Sequence, residues 1–219
     1  MPIFLLIRHG ETDYNKKMRI AGRLPGVHLN QKGRQQAQVL ADRLASLPIK
    51  AIYSSPLERT LETAQPLAGV LKLAVTPTTG LLETDCGEWA GQSTRKLRRL
   101  KIWQSVQQLP ALFHFPGGEW IGECQHRMVE VIESLRLKHA SQDLLAIFSH
   151  ADPIKQVLAY YLGLPLDNFQ RLAIDTGSIT ALQVSDGGSR LIMMNFNPSF
   201  TWDAFQPPQQ NKPGPSSKP

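Results

Sequence analysis

Histidines and arginines stand at the ends of three apolar runs. Ile3 to Ile7 leads into Arg8-His9-Gly10-Glu11-Thr12, and Ile49 to Tyr53 leads into Ser54-Ser55-Pro56-Leu57-Glu58-Arg59. Leu144 to Phe148 leads into Ser149-His150-Ala151-Asp152-Pro153. If the three runs are neighbouring parallel strands, these residues share one crevice, because ligands in open parallel sheets bind beyond the carboxyl ends of the strands. Two arginines and two histidines in one crevice are a phosphate pocket in outline. A phosphoryl group in transfer spreads charge over its equatorial oxygens, and fixed cationic donors stabilise it. Arginine supplies planar paired donors for that purpose. A neutral imidazole is a competent nucleophile at pH 7, and arginines nearby disfavour its protonation. The leaving oxygen then needs a proton, which Glu83, in Leu82-Glu83-Thr84-Asp85-Cys86-Gly87, could deliver. Taken singly, each residue has a plainer explanation. A strand-end histidine is more often a packed side chain, Arg59 a helix-surface charge and Glu83 a solvated loop acid.

The elements that must position these groups follow from periodicity. The unbroken apolar run Ile3 to Ile7 fits a strand buried on both faces. After Asn30, a good N-cap, Ala37, Leu40, Ala41 and Leu44 recur at helical spacing. Ile49 to Tyr53 is a short strand, followed by a helix carrying Leu61, Ala64, Ala68 and Leu71. Met128, Val131, Ile132 and Leu135 stripe a further helix, Leu144 to Phe148 is a strand, and Ile154, Val157, Leu158 and Tyr161 stripe the helix after it. Ser178 to Val184 and Arg190 to Phe196 pair across the turn signal Asp186-Gly187-Gly188. Alternating strands and helices predict an α/β fold, three layers α/β/α, with a mostly parallel sheet and an antiparallel strand from the last pair. Residues 80–118 break the rhythm and read as a small cap insertion over the sheet edge. The reading is one domain over residues 1–205 and a disordered tail rich in Pro, Gln and Ser over residues 206–219.

The motifs resemble those of the histidine phosphatase superfamily, with its phosphoglycerate mutase-like fold. The resemblance rests on Arg8-His9-Gly10-Glu11-Thr12 with Asn15, Ser54 to Thr60 with Glu62-Thr63-Ala64, Glu83 with Gly87-Glu88-Trp89, and Ser149-His150, in that order. It covers roughly residues 1–196. Members of actinobacterial type, often designated phosphomutases, share the flavour of Gly26-Val27-His28-Leu29 and His150 to Lys155. The resemblance implies that His9 takes the phosphoryl group in line and becomes phosphohistidine. It implies that Arg8, Arg59 and His150 hold the phosphoryl oxygens, with Asn15 and the backbone near Gly22 completing the pocket. Glu83 would protonate the leaving alcohol and then activate water. No metal or organic cofactor is implied, and His28, His114, His126 and His139 lack ligand spacing. Two positions depart from the family pattern: Ala151 replaces a frequent glycine, and Trp120 follows Gly117-Gly118-Glu119 where Ser or Thr is usual.

The basic run Arg95-Lys96-Leu97-Arg98-Arg99-Leu100-Lys101 fits the wet face of a helix whose Leu97, Leu100 and Trp103 face inward. A sharper alternative has Arg98 and Arg99 reaching over the pocket to select a substrate with a second anionic group. The insertion between Glu83 and His150 is modest, whereas mutases of the superfamily usually carry a longer one. The expectation is therefore hydrolysis of small phosphorylated metabolites, with a phosphomutase as the alternative and a non-catalytic phospho-ligand binding protein as the reading of another class.

Composition narrows the rest. The 219 residues suit one large domain. Two cysteines do not make a disulfide scaffold and fit a reducing cytoplasm. A cysteine-phosphatase loop would need Arg six positions after Cys86 or Cys124, where Gln92 and Glu130 stand. The formal charge of +6 is not interleaved with aromatics, so no nucleic-acid partner is expected. No apolar stretch approaches a membrane span, and no membrane partner is expected. Oligomeric state is not legible in the chain.

Overall fold

The structure, a computed structural model, describes residues 2–198. The proposed tail over residues 206–219 lies outside the described residues.

The fold grows from β1 (Ile3–Arg8), whose side chains alternate between two buried faces. A short turn of helix, α1 (Asp13–Lys16), and the longer α2 (Gln31–Leu44) follow. The Asn30 side chain caps α2 by accepting from the Gly33 backbone N–H at 2.9 Å. Then come β2 (Ile49–Ser54), α3 (Glu58–Leu71) and β3 (Val75–Pro77). The cap carries α4 (Thr94–Leu97) and α5 (Ile102–Gln108), and α6 (Ile121–Lys138), β4 (Leu144–Ser149) and α7 (Ala151–Tyr161) return the chain to the core. The hairpin β5 (Ile179–Ser185) and β6 (Gly188–Phe196) closes the fold.

The six strands form one mixed sheet in the order β3-β2-β4-β1-β5-β6, an α/β architecture as expected. β1, β4, β2 and β3 run parallel, and β5 and β6 are antiparallel additions. Phe4, Leu6, Leu145 and Ile147 meet Met128 and Ile132 of α6 and Ile154, Val157 and Leu158 of α7. Leu5, Ile7, Ala146 and Phe148 meet Leu40, Ala41 and Leu44 of α2 and Ala64, Leu67 and Ala68 of α3 on the other face. Each fully buried Leu, Ile, Val, Phe or Met among them contributes roughly 1.5–3 kcal/mol of transfer free energy. A third cluster, including Trp89, Leu97, Val106, Phe113, Phe115 and Ile121, is built largely from the cap.

Register decides what this core is for. Arg8 lies opposite Ser149, and Ser54 opposite Phe148. The ends of β1, β4 and β2 are therefore level, and the next residues stay in step. The His9 N–H donates to Ser149 O at 3.0 Å, and the Ser55 N–H to Phe148 O at 2.9 Å.

One element has no signal in the sequence, and one sequence expectation needs correction. β3 was not legible: three residues ending in Pro77 carry no periodicity, and proline is tolerated there because β3 is an edge strand. The basic run is not one helix, since α4 stops at Leu97 and α5 starts at Ile102. Continuous helix would set Arg95 against Arg98 and Arg99, and Lys96 against Arg99, at spacings where like charges repel. The break turns Leu100 outward, 46% exposed, while Leu97 stays buried.

Gly10 and Gly33 let α2 approach the end of β1. A Cβ at Gly33 would stand 2.1 Å from the Glu11 carbonyl oxygen, and one at Gly10 would stand 2.5 Å from that of Gly33. Both obstacles are backbone. Gly33→Ala should therefore cost about 1–3 kcal/mol of stability and displace the loop after His9, visible as a lower Tm together with a lower kcat.

Candidate active site

His9 follows the last residue of β1 and is 3% exposed. Its Nδ1 lies 2.7 Å from the Gly10 carbonyl oxygen, which can only accept. The proton therefore sits on Nδ1, and the lone pair of Nε2 is left for chemistry. Burial first, then Arg59 and Arg8, drives the His9 pKa well below its ordinary value, so the ring is neutral at pH 7. Thr63 of α3 fixes the same loop by accepting from the Gly10 N–H at 3.0 Å.

Arg59 projects from the first turn of α3 and is 1% exposed. Its Nη2 donates to Gly22 O at 2.8 Å and lies 3.2 Å from His150 Nδ1. A guanidinium has no lone pair to offer, so Nδ1 is the acceptor and His150 carries its proton on Nε2, 2.9 Å from Ser55 Oγ. Burial and Arg59 keep His150 neutral as well. Its ring meets that of His9 edge-on, with centroids 5.2 Å apart. Arg8 donates through Nη1 to Ile174 O at 2.7 Å. Arg8 Nε and Arg59 Nε and Nη1 are buried without a protein partner among the described residues. Unpaired buried donors are costly, and here they belong to two cations beside a histidine lone pair. That is the donor set an oxyanion requires.

Glu83 sits on the irregular stretch between Leu81 and Gly87, its Oε1 accepting from the Thr84 N–H at 2.9 Å and its Oε2 3.9 Å from His150 Nδ1. Burial, reinforced by the carboxylate of Asp152, raises its pKa to about 7 despite Arg59 and Arg8. It can therefore give up a proton near neutrality and take one back. Cys86 and Cys124 are also buried, which pushes the first thiol well up and the second to about 12. Neither offers a thiolate.

Arg8, His9, Asn15, Gly22, Arg59 and Glu83 line one cleft of about 320 Å³. Asn15 Oδ1 is engaged by the backbone N–H and the hydroxyl of Thr12, leaving its amide N–H groups for a ligand. The Gly22 carbonyl is turned to Arg59. His150 is fully buried, one layer behind the cleft surface, where it orients Arg59 and packs on His9. Arg98 and Arg99 are not brought to the site: both are exposed in the turn between α4 and α5, outside the cleft lining. Other cations take that place. Arg19, anchored on Gly91 O, and Lys155, held by Asp152 and Gln170, line the cleft with Trp103 and Gln107. Neither cation was singled out from the sequence, for Arg19 is one of several spaced basic residues. Lys155 stands on the first turns of α7 just past His150, a signal that could have found it. Ala151 begins α7 with helical backbone, so its methyl group lines the cleft without strain. Trp120 does not cap α6 with its side chain; the Glu123 carboxylate accepts from its N–H at 2.9 Å instead.

The model of the histidine phosphatase superfamily, branch 1, matches residues 4–197. The chain belongs to this superfamily. Phosphoserine phosphatase 1 of Hydrogenobacter thermophilus is 28% identical over 193 residues, covering 87% of this chain and 90% of that protein. The 2,3-bisphosphoglycerate-dependent phosphoglycerate mutase of Thermoplasma acidophilum is 28% identical over 204 residues, covering 85% and 90%. Among solved structures, YhfR of Bacillus stearothermophilus superposes with a TM-score of 0.83 at 28% identity, covering 90% of this chain and 98% of that one. The superfamily and its phosphatase-named members support a phosphatase as the enzyme class. Among the described residues, no helix is long and apolar enough to cross a membrane.

Proposed function

We propose that the chain hydrolyses phosphate monoesters of small metabolites through a phosphohistidine on His9. The observation that carries this reading is the His9 Nδ1–H bond to Gly10 O, which leaves Nε2 as a fixed lone pair beside three guanidinium donors without a protein partner among the described residues. In the first step Nε2 attacks phosphorus while the bond to the leaving oxygen breaks. Arg8 and Arg59, with Asn15, hold the phosphoryl oxygens, and His150 keeps Arg59 in place. The Glu83 carboxyl gives its proton to the departing alcohol. In the second step the Glu83 carboxylate takes a proton from water, the oxygen attacks phosphorus, and the N–P bond breaks. Inorganic phosphate leaves, and His9 and Glu83 return to their starting states. No step is assigned to a metal or an organic cofactor.

A cleft of about 320 Å³ suits a small phosphorylated metabolite. Hydrolysis is favoured over phosphoryl return by the modest cap. The core set is intact, which argues against a non-catalytic binder. The test is turnover of p-nitrophenyl phosphate in the presence of chelator by wild type and His9→Ala, with 3-phosphoglycerate and its bisphosphate offered in parallel. Phosphate release that depends on His9 is expected. Comparable rates in the two proteins would defeat the mechanism, and fast isomerisation with little free phosphate would make the chain a mutase.

A further inference from the structure

The proposed acid stands on a stretch with no helix or strand, yet its backbone is tightly held. The Glu83 carbonyl oxygen accepts from Arg23 Nε at 2.8 Å and from Arg127 Nη2 at 3.0 Å. These two arginines come from opposite sides of the chain, one after Gly22 and the other from the middle of α6. Glu119 joins them. Its Oε2 accepts from Arg23 Nη2 and its Oε1 from Arg127 Nη2, each at 2.9 Å. Glu119 Oε1 also accepts from the Asp85 N–H at 2.9 Å, and the Glu119 N–H donates to Asp85 O at 3.0 Å. Arg127 Nη1 extends the grip to Gly80 O at 2.8 Å. The acid-bearing segment is thus fixed before, at and after Glu83 by one carboxylate and two guanidiniums. Against its burial, Arg127 and Arg23 hold Glu119 below the usual carboxylate range, so it stays ionised.

We propose that Glu119 is a positioning residue for Glu83, acting through Arg23 and Arg127, which it holds against the Glu83 carbonyl. This rests on Glu83 being the proton donor. Glu119 touches neither the cleft nor the candidate nucleophile. A displacement of about 1 Å at a reacting group can cost on the order of 10²-fold in rate. Thr84 is tied separately to Cys124 and Gln156, but the Glu83 carbonyl itself is bonded by the two arginines.

The clamp acts on protonation of the leaving group, so its loss must depend on how much that group needs a proton. Phenyl phosphate and p-nitrophenyl phosphate have similar shapes but leaving groups of very different basicity. Glu119→Gln should lower kcat/KM for phenyl phosphate by about tenfold or more while changing p-nitrophenyl phosphate only a few-fold, with Glu83→Gln measured beside it as the reference. Arg23, Glu119 and Arg127 also line a second open cleft of about 560 Å³. Guanidinium ion can enter there, so Arg23→Ala should show the same discrimination and regain phenyl phosphate turnover in millimolar guanidinium. A uniform loss on both substrates, or no loss, in Glu119→Gln while Glu83→Gln discriminates would overturn the clamp. No discrimination by Glu83→Gln would overturn the acid assignment and the clamp with it. If Glu119→Gln does not fold, the rescue of Arg23→Ala decides alone, and absence of rescue overturns the proposal.

Discussion

Replacing Arg59 by alanine should lower kcat by about 10³-fold or more, the scale on which arginines act at a transferring phosphoryl group. Arg59 is the most deeply placed cation in the cleft, and two of its three nitrogens have no protein partner among the described residues. Its third nitrogen bonds Gly22 O and His150. Removal would take away transition-state donors and also leave His150 Nδ1 without its partner. Arg59→Lys isolates the geometry. It keeps a charge but cannot offer paired planar donors, so a loss of about 10²-fold in kcat is expected even with the positive charge retained. Circular dichroism and Tm on both variants separate this from unfolding, since a buried cation replaced by a methyl group leaves a cavity. Lysine restoring wild-type kcat would mean that only charge matters there.

Glu83→Gln should cost about 10²–10⁴-fold on substrates with basic leaving groups, the range for a positioned general acid. The pH dependence carries a sign. Burial and Asp152 hold the Glu83 pKa at about 7, so the acid form is present below neutrality and is lost as pH rises through about 7. For phenyl phosphate, kcat/KM should fall roughly tenfold per pH unit on that limb. In Glu83→Gln the limb should vanish. In Asp152→Asn it should move to lower pH, because a carboxylate that disfavours ionisation has gone. Stability should fall with rising pH in the same direction as activity. A carboxyl whose folded pKa lies above its ordinary 4.5 stabilises the fold fully below that value, and the contribution is lost as pH rises through about 7. The ionised group then costs on the order of 3 kcal/mol, at about 1.4 kcal/mol per pH unit. Glu83→Gln should therefore have a higher Tm than wild type above pH 8, and equal stability there would contradict the buried, raised-pKa acid.

Much of this site could be read from residue order because the strands that carry it are buried on both faces. Ile3 to Ile7 and Leu144 to Phe148 are unbroken apolar runs, Ile49 to Tyr53 is one interrupted only by Lys50, and parallel register aligns whatever follows each one. His9, Arg59 and His150 were therefore legible as neighbours. Residues held by contacts between distant segments were not. Ser55 and Thr63 fall inside the sequence motifs, but that one backs His150 and the other holds Gly10 appears only once the backbone brings them together. Arg23, Glu119 and Arg127 are scattered over a hundred positions and carry no periodic signal. The basic run is solvated, as the wet-face reading expects, and the alternative that placed Arg98 and Arg99 over the pocket is not seen. The run is split between α4 and α5 with Arg98 and Arg99 exposed in the turn, while single cations at 19 and 155 line the cleft.

The most direct measurement is rapid quench of the wild-type protein with a labelled phosphomonoester, followed by mapping of any label that survives base but not acid. The phosphohistidine mechanism predicts transient label on the peptide carrying His9 that decays as phosphate appears, and none in His9→Ala. Turnover without such label, or label on another residue, would contradict it.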